Sequence, residues 1–378
     1  MKNVVIAGYV RSPFQFARKG QLAKVRPDEM AGQVVRALVQ RTGIEPKDVE
    51  DVIMGCAFPE GEQGFNVARI VGFIAGLPIN VAGTTVNRFC GSSMQAIHMA
   101  AGAIQMDAGH AFICAGIESM TRIPMAGFNP APHPALYKEH PDVYMAMGET
   151  AENVAKRYKV DRKRQEEFAV QSHKKATAAR AGGKLKDEII AITQGNLRVE
   201  EDGCIRPDTT ADALAGLEPA FDKTGTVTAG TSSPLTDGAA AVLVCSEDYA
   251  KAHGLKPLAK LKSISVFGCS PDIMGMGPVG ATKKALDRAK LSIKDIDIIE
   301  LNEAFASQAL AVMAEAGIPL DKTNLDGGAL ALGHPLGATG ARITGKAASL
   351  LKREGKKFAL STQCIGGGQG IATILEAV

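Results

Sequence analysis

Apolar positions along the chain follow two periods, and these predict alternating strands and helices. The first part reads as a strand over 3–9, a helix over 27–41, and a strand over 51–56. A helix over 63–75, a strand over 81–87, a helix over 91–106 and a strand over 110–115 follow. Met94, Ile97, Ala101 and Ile104 recur at helical spacing and share one face of the 91–106 helix. The last part repeats this order. Strands are expected over 258–267, 297–301, 324–326, 358–363 and 371–376, with helices over 281–290, 303–316 and 337–353. Strands that alternate with helices predict parallel or mixed sheets covered by helices. The shared order predicts a duplicated α/β fold.

Residues 117–237 break the alternation. A stretch with Pro, His and Met over 124–148 precedes a charged helical stretch over 149–181, then turns over 206–231. The expected organisation is an N-terminal half over 1–116 completed by 238–256, an inserted unit over 117–237, and a C-terminal half over 257–378. An insertion beside such a sheet is a ligand cover or an oligomerisation arm.

Composition narrows the class. The chain has 378 residues, enough for two core-forming units. Its formal charge of +3 does not predict a nucleic-acid partner. No apolar run predicts a transmembrane segment, and the start reads directly as a strand without a signal peptide. The seven cysteines show no C-x-x-C pair, which predicts reduced thiols, no metal site and a cytoplasmic protein.

Four unusual segments fall at predicted strand ends, where ligands of such sheets bind. They are Asn87-Arg-Phe-Cys90-Gly-Ser-Ser, Leu301-Asn302-Glu303-Ala304-Phe305, the glycine-rich run from Asn324 through His334-Pro335 to Gly340, and Gln363-Cys364-Ile-Gly366-Gly-Gly-Gln-Gly370. Cys90 precedes a helix, whose free N–H groups and dipole favour a thiolate nucleophile. His334, held by a proline, is placed to serve a thiol. Asn302 either caps the next helix or holds a water. Cys364 sits beside glycine backbone able to bind an oxyanion. Cys56, Cys114, Cys204, Cys245 and Cys269 are expected as packing, and the other six histidines as structural or surface groups. Gly275-Met-Gly277-Pro-Val-Gly280 spells a dinucleotide pattern but does not directly follow a strand, so it is not read as one.

At these segments, and over 86–96, 228–239, 272–278 and 328–342, the chain resembles the thiolase family. The resemblance implies two α/β halves around buried helices in five layers, with 117–237 as a loop domain that covers the site and holds coenzyme A. It implies Cys90 as the acylated nucleophile and His334 as its activator. Asn302 would hold a water in one oxyanion hole. The N–H groups of Cys90 and Gly366 would form a second, and Cys364 would act as acid and base on acetyl-CoA. Met147 and Phe305 would line the acyl and pantetheine pocket, and Arg206 and Ser233 would contact CoA. No metal or bound cofactor is implied, since CoA is a substrate. The implied partners are 3-ketoacyl-CoA, acetyl-CoA, a second copy as dimer or tetramer, and a multifunctional hydratase/dehydrogenase subunit.

Ala146-Met147-Gly148 and Thr231-Ser-Ser-Pro234 differ from the His-Met-Gly and Asn-Ala-Ser-Gly of many biosynthetic members. With Gln63–Arg69, they point to a degradative 3-ketoacyl-CoA thiolase of fatty-acid β-oxidation. An acetoacetyl-CoA thiolase running Claisen condensation is the alternative. A non-catalytic CoA- or lipid-binding relative is the third reading. A decarboxylating ketoacyl synthase would lack the second cysteine.

Overall fold

The computed structural model describes residues 2–378, so the first position of the expected strand-like start lies outside the described residues. The chain opens with β1 (Val4–Arg11), β2 (Gln15–Phe16) and α1 (Pro27–Thr42). Pro27 starts α1 with its φ already set, and Gly43 ends it in the left-handed region. Next come β3 (Asp51–Cys56), α2 (Val67–Ala75), β4 (Ala82–Val86), α3 (Ser92–Gln105) and β5 (Ala111–Ser119).

The excursion holds α4 (Pro134–Glu139), α5 (Met147–Arg157), α6 (Arg162–Ala181), β6 (Ile192–Gln194), β7 (Leu197–Val199) and α7 (Ala211–Ala215). The single helical stretch expected over 149–181 is thus two helices. Lys159 takes a positive φ, and Asp161 caps α6 by accepting from the Arg164 N–H.

The chain then returns through β8 (Thr236–Ser246) and α8 (Glu247–Ala252). The last part runs β9 (Ala259–Gly268), α9 (Gly277–Ala289), β10 (Ile298–Leu301), α10 (Ala306–Ala316), α11 (Ala329–Leu332), α12 (Leu336–Glu354), β11 (Phe358–Ile365) and β12 (Gln369–Glu376).

The strand order is β4-β3-β5-β8-β1 followed by β9-β12-β11-β10. The four strands of the second run match β3, β5, β8 and β1 of the first. β3 and β5 are parallel, as are β10 and β11; β5–β8–β1 is antiparallel, as is β11–β12–β9. Beside β10 the expected strand over 324–326 is absent. A parallel bridge from Ile299 to Thr323 stands in its place, and Asn324 at φ +48° turns the chain away. β1 and β9 pair briefly, so the two runs form one continuous sheet.

Helices α1 and α2 cover the outside of the first run, α9 and α10 that of the second, and α3 and α12 lie buried between them. That makes five layers. The central helices approach closely because small residues meet there: a Cβ on Gly340 of α12 would stand 2.3 Å from the Met94 nitrogen of α3.

Buried ion pairs tie the excursion to both runs. Arg11 meets Glu188 at 2.8 Å and Asp202 at 2.7 Å, while Lys346 of α12 meets Glu188 at 2.8 Å and Asp326 at 2.6 Å. Removing one member would strand a buried charge, so the four segments are held as a set. No described helix is long and apolar enough to cross a membrane.

Candidate active site

Cys90 lies in a tight turn between β4 and α3. Phe89 takes φ +41°, a region costly for a residue with a side chain. The turn is held by hydrogen bonds. Asn87 Oδ1 accepts from the Phe89 N–H at 2.8 Å, and Ser92 Oγ accepts from the Arg88 N–H at 2.9 Å and donates to the Phe89 carbonyl at 2.6 Å. Gln363 Nε2 of β11 donates to the Cys90 carbonyl. The turn is therefore clamped from its own loop and from the facing strand.

The nearby backbone N–H groups of Gly366 and of Cys90 itself favour the Cys90 thiolate. They do not prevail in the resting protein. Burial pushes the Cys90 thiol up to about 12, and the nearby Glu118 carboxylate adds to this. A helix end stabilises charge, but full desolvation costs more. Cys90 rests as a thiol and needs a base.

His334 follows Gly333 and precedes α12. Its Nδ1 lies 2.6 Å from Thr339 Oγ1, whose hydroxyl donates to the Pro335 carbonyl at 3.2 Å. Thr339 therefore accepts the Nδ1 proton, and Nε2 carries the lone pair. Nε2 meets Asn302 Nδ2 at 3.4 Å. Burial, helped by Arg342, pulls the imidazole down to about 3, so it rests neutral and able to take a proton.

Asn302 does not cap α10. That helix starts at Ala306, after Phe305 without a side-chain cap. Asn302 Oδ1 is buried without a hydrogen-bond partner among the described residues, as a residue that grips a ligand or water would be.

Cys364 is the penultimate residue of β11, which runs two residues beyond the strand end expected from sequence. It packs with Met147, Ala304 and Phe305, two of them the predicted pocket residues. Burial raises its thiol well above the usual cysteine range, with proximity to Cys90 next in effect. The Phe305 ring meets Phe221 edge-on at 5.9 Å. The Ser233 N–H donates to the Ala304 carbonyl at 2.9 Å, which fixes the 232–233 segment to the Phe305 wall. Arg206 is separate: it is exposed, lies 5.1 Å from the Phe16 ring, and gives its N–H to His173 Nδ1.

Sequence reasoning missed Glu118. Its buried carboxylate accepts from the N–H groups of Ala57 and Gly337, each near 2.8–2.9 Å, and from Gln63 Nε2 at 2.9 Å. It thereby joins β3's exit to the start of α12. The signal was present: one acid in the apolar run 111–120. Gln363 and Thr339 carried no such signal, because their partners are remote or depend on a ring orientation.

Two buried thiols and a buried neutral imidazole thus stand at neighbouring strand and helix ends of the two halves. Residues 4–248 match the family described as thiolase, N-terminal domain, and residues 255–377 match thiolase, C-terminal domain. The chain belongs to the thiolase family. It is 46% identical over its full length to a 3-ketoacyl-CoA thiolase of Bacillus subtilis, which it covers completely. It is 47% identical to one of Marinobacter nauticus, covering 100% of this chain and 99% of the relative. The fold is similar to human mitochondrial 3-ketoacyl-CoA thiolase in complex with CoA, with TM-score 0.92 and 38% identity over 100% and 98% of the two chains. It is equally similar to a Bacillus anthracis acetyl-CoA acetyltransferase, with TM-score 0.92, 40% identity and coverage of 100% and 99%. Membership in this family makes the chain an acyltransferase.

Proposed function

We propose that this thiolase cleaves 3-ketoacyl-CoA with CoA and releases acetyl-CoA, as a step of fatty-acid degradation in the cytoplasm. The observation that carries the reading is a second buried thiol, Cys364, beside Cys90, with the Gly366 backbone close to the Cys90 sulfur. His334 Nε2 takes the Cys90 proton, and the thiolate attacks the 3-keto carbon. The C2–C3 bond breaks, and its electrons become the enolate of acetyl-CoA. Cys364 donates its proton to that carbon. His334, now protonated, and a water held by Asn302 stabilise the enolate oxygen, while the Cys90 and Gly366 N–H groups stabilise the oxyanion of the acyl carbon. Free CoA then gives its thiol proton to the Cys364 thiolate and attacks the Cys90 thioester; the Cys90 thiolate leaves, regains its proton from His334, and the shortened acyl-CoA departs. CoA enters as a substrate, and the cycle needs no metal.

The inserted 117–237 unit would cover this site, with Met147 and Phe305 against the pantetheine and Ser233 and Arg206 along CoA. We also assign the active form to a homo-oligomer. β4 is an unpaired sheet edge, and nearby Phe65 is 94% exposed and Ile79 80%. A solution mass equal to one chain would remove this assignment. The multifunctional hydratase/dehydrogenase subunit belongs to the same reading through resemblance alone.

The likeness to an acetyl-CoA acetyltransferase favours the second reading, acetoacetyl-CoA thiolysis or its reverse. A thiolysis series from four to sixteen carbons, about that range being available as 3-ketoacyl-CoA, separates them. Turnover of long substrates with an acyl adduct on Cys90 is expected. Exclusive use of the four-carbon substrate would sink the first reading, and no adduct at all would favour a binding protein.

A further inference from the structure

We propose that a cleft remote from the thiols, at the junction of β1, α1, α12 and the loop after α6, is a binding site for a polyphosphate anion. The cleft has a volume of about 630 Å³, within the usual size of ligand pockets. Cys90, His334 and Cys364 are not among its walls, nor are the residues assigned above to CoA.

Its charge is unbalanced in a specific way. Lys184, Lys256 and Lys352 line it from three separate segments, and none has a carboxylate at ion-pair distance among the described residues. Arg41 joins them from the end of α1, and its guanidinium is spent on the carbonyls of Asp187 and Ile189, which do not neutralise it. The wall carboxylates do not compensate. Glu188 is already shared between Arg11 and Lys346, so Asp187 alone faces four cations. All four side chains are exposed, so an anion entering the cleft meets their summed positive field.

The floor carries a second observation. Tyr9 lines the cleft and is more than nine-tenths buried, yet its hydroxyl has no hydrogen-bond partner among the described residues. That hydroxyl is sealed from the cleft, so recognition falls to the rim. The rim lysines are point charges on flexible stems, which match a chain of phosphates better than one planar carboxylate.

The test is calorimetric titration of the full chain with inorganic tripolyphosphate in saturating CoA, so that the thiol site is already filled. One site per chain is expected. A Lys184→Gln/Lys256→Gln/Lys352→Gln variant should bind at least about tenfold more weakly, with added salt weakening the wild type in the same sense, and with thiolysis unchanged. ATP binding as tightly as tripolyphosphate would assign recognition to the phosphates alone, and tighter ATP binding would add the base. Absence of binding at millimolar tripolyphosphate, equal affinity in the triple variant, or competition by CoA would each overturn the proposal.

Discussion

Glu118 and Cys364 occupy the same position in the two halves. Each is the penultimate residue of its strand, and each lies opposite a glycine of the following strand: Glu118 opposite Gly238, Cys364 opposite Gly370. Cys90 and His334 are related in the same way, each entering a central helix, α3 or α12. The duplication thus supplies two copies of one constellation, and the residues filling them have diverged. One copy of the strand-end position holds a carboxylate that fastens backbone, the other a thiol beside Cys90.

That division predicts a structural phenotype for Glu118→Gln. A neutral amide replaces one acceptor oxygen with a donor, which would then face the buried N–H groups now served by the carboxylate. A loss of about 1–3 kcal/mol in unfolding free energy is expected from chemical denaturation. An unchanged denaturation midpoint would show that these bonds are dispensable.

Cys364→Ala should separate the two tasks. Exchange of the α-protons of acetyl-CoA with solvent should fall by at least about 100-fold, while a single encounter with 3-ketoacyl-CoA still acylates Cys90. NMR follows the exchange, and intact-mass measurement follows the acyl group. Full-rate exchange in this variant would take Cys364 out of the proton transfer.

Thr339 is a positioning residue, acting through His334. Thr339→Val removes the acceptor for Nδ1–H, freeing the ring to take the other tautomer. We expect kcat to fall roughly 10- to 100-fold with KM nearly constant, and Thr339→Ser to restore it. A fall in stability alone, with kcat intact, would mark the hydroxyl as merely structural.

Acid sensitivity has a defined source in His98. Burial pulls this imidazole from 6.5 down to about 3, with Arg88 and Arg288 acting in the same direction, and Nε2 meets Thr373 Oγ1 at 2.8 Å. The unfolded chain therefore binds a proton below pH 6.5 that the native state refuses until about pH 3. Stability is unaffected above 6.5 and is lost as pH falls through that window. By pH 5 the loss is about 2 kcal/mol from this group. In His98→Gln the difference in urea stability between pH 7.5 and pH 5 should shrink by about that amount. His334 acts in the same sense in both proteins and cancels from the comparison. An equal pH dependence in the two proteins would refute the assignment.

The residues of the site were legible before the fold was. Cys90, His334 and Cys364 stand out because reactive side chains amid glycines at strand ends are rare in packing, and periodicity places those ends without any long-range information. The duplicated strand order was legible for the same reason. Three features were not. The third strand of the second run gave way to the turn at Asn324, since one bridge at Thr323 suffices where Asn324 can bond β10 from the side. The length of β11 depended on β12 pairing as far as Ile365–Gln369, a contact that no local period encodes. The protonation of Cys90 depended on how completely neighbours 270 residues away exclude water.

The sequence by itself therefore determined which groups are candidates for the chemistry, because residue type sets what can act as nucleophile, base or acid. Only the tertiary structure decided their state. Burial makes Cys90 a thiol and His334 a neutral base, because desolvation is a property of surroundings assembled from both halves. The same assembly gathers Lys184, Lys256, Lys352 and Arg41 from distant segments into one cleft.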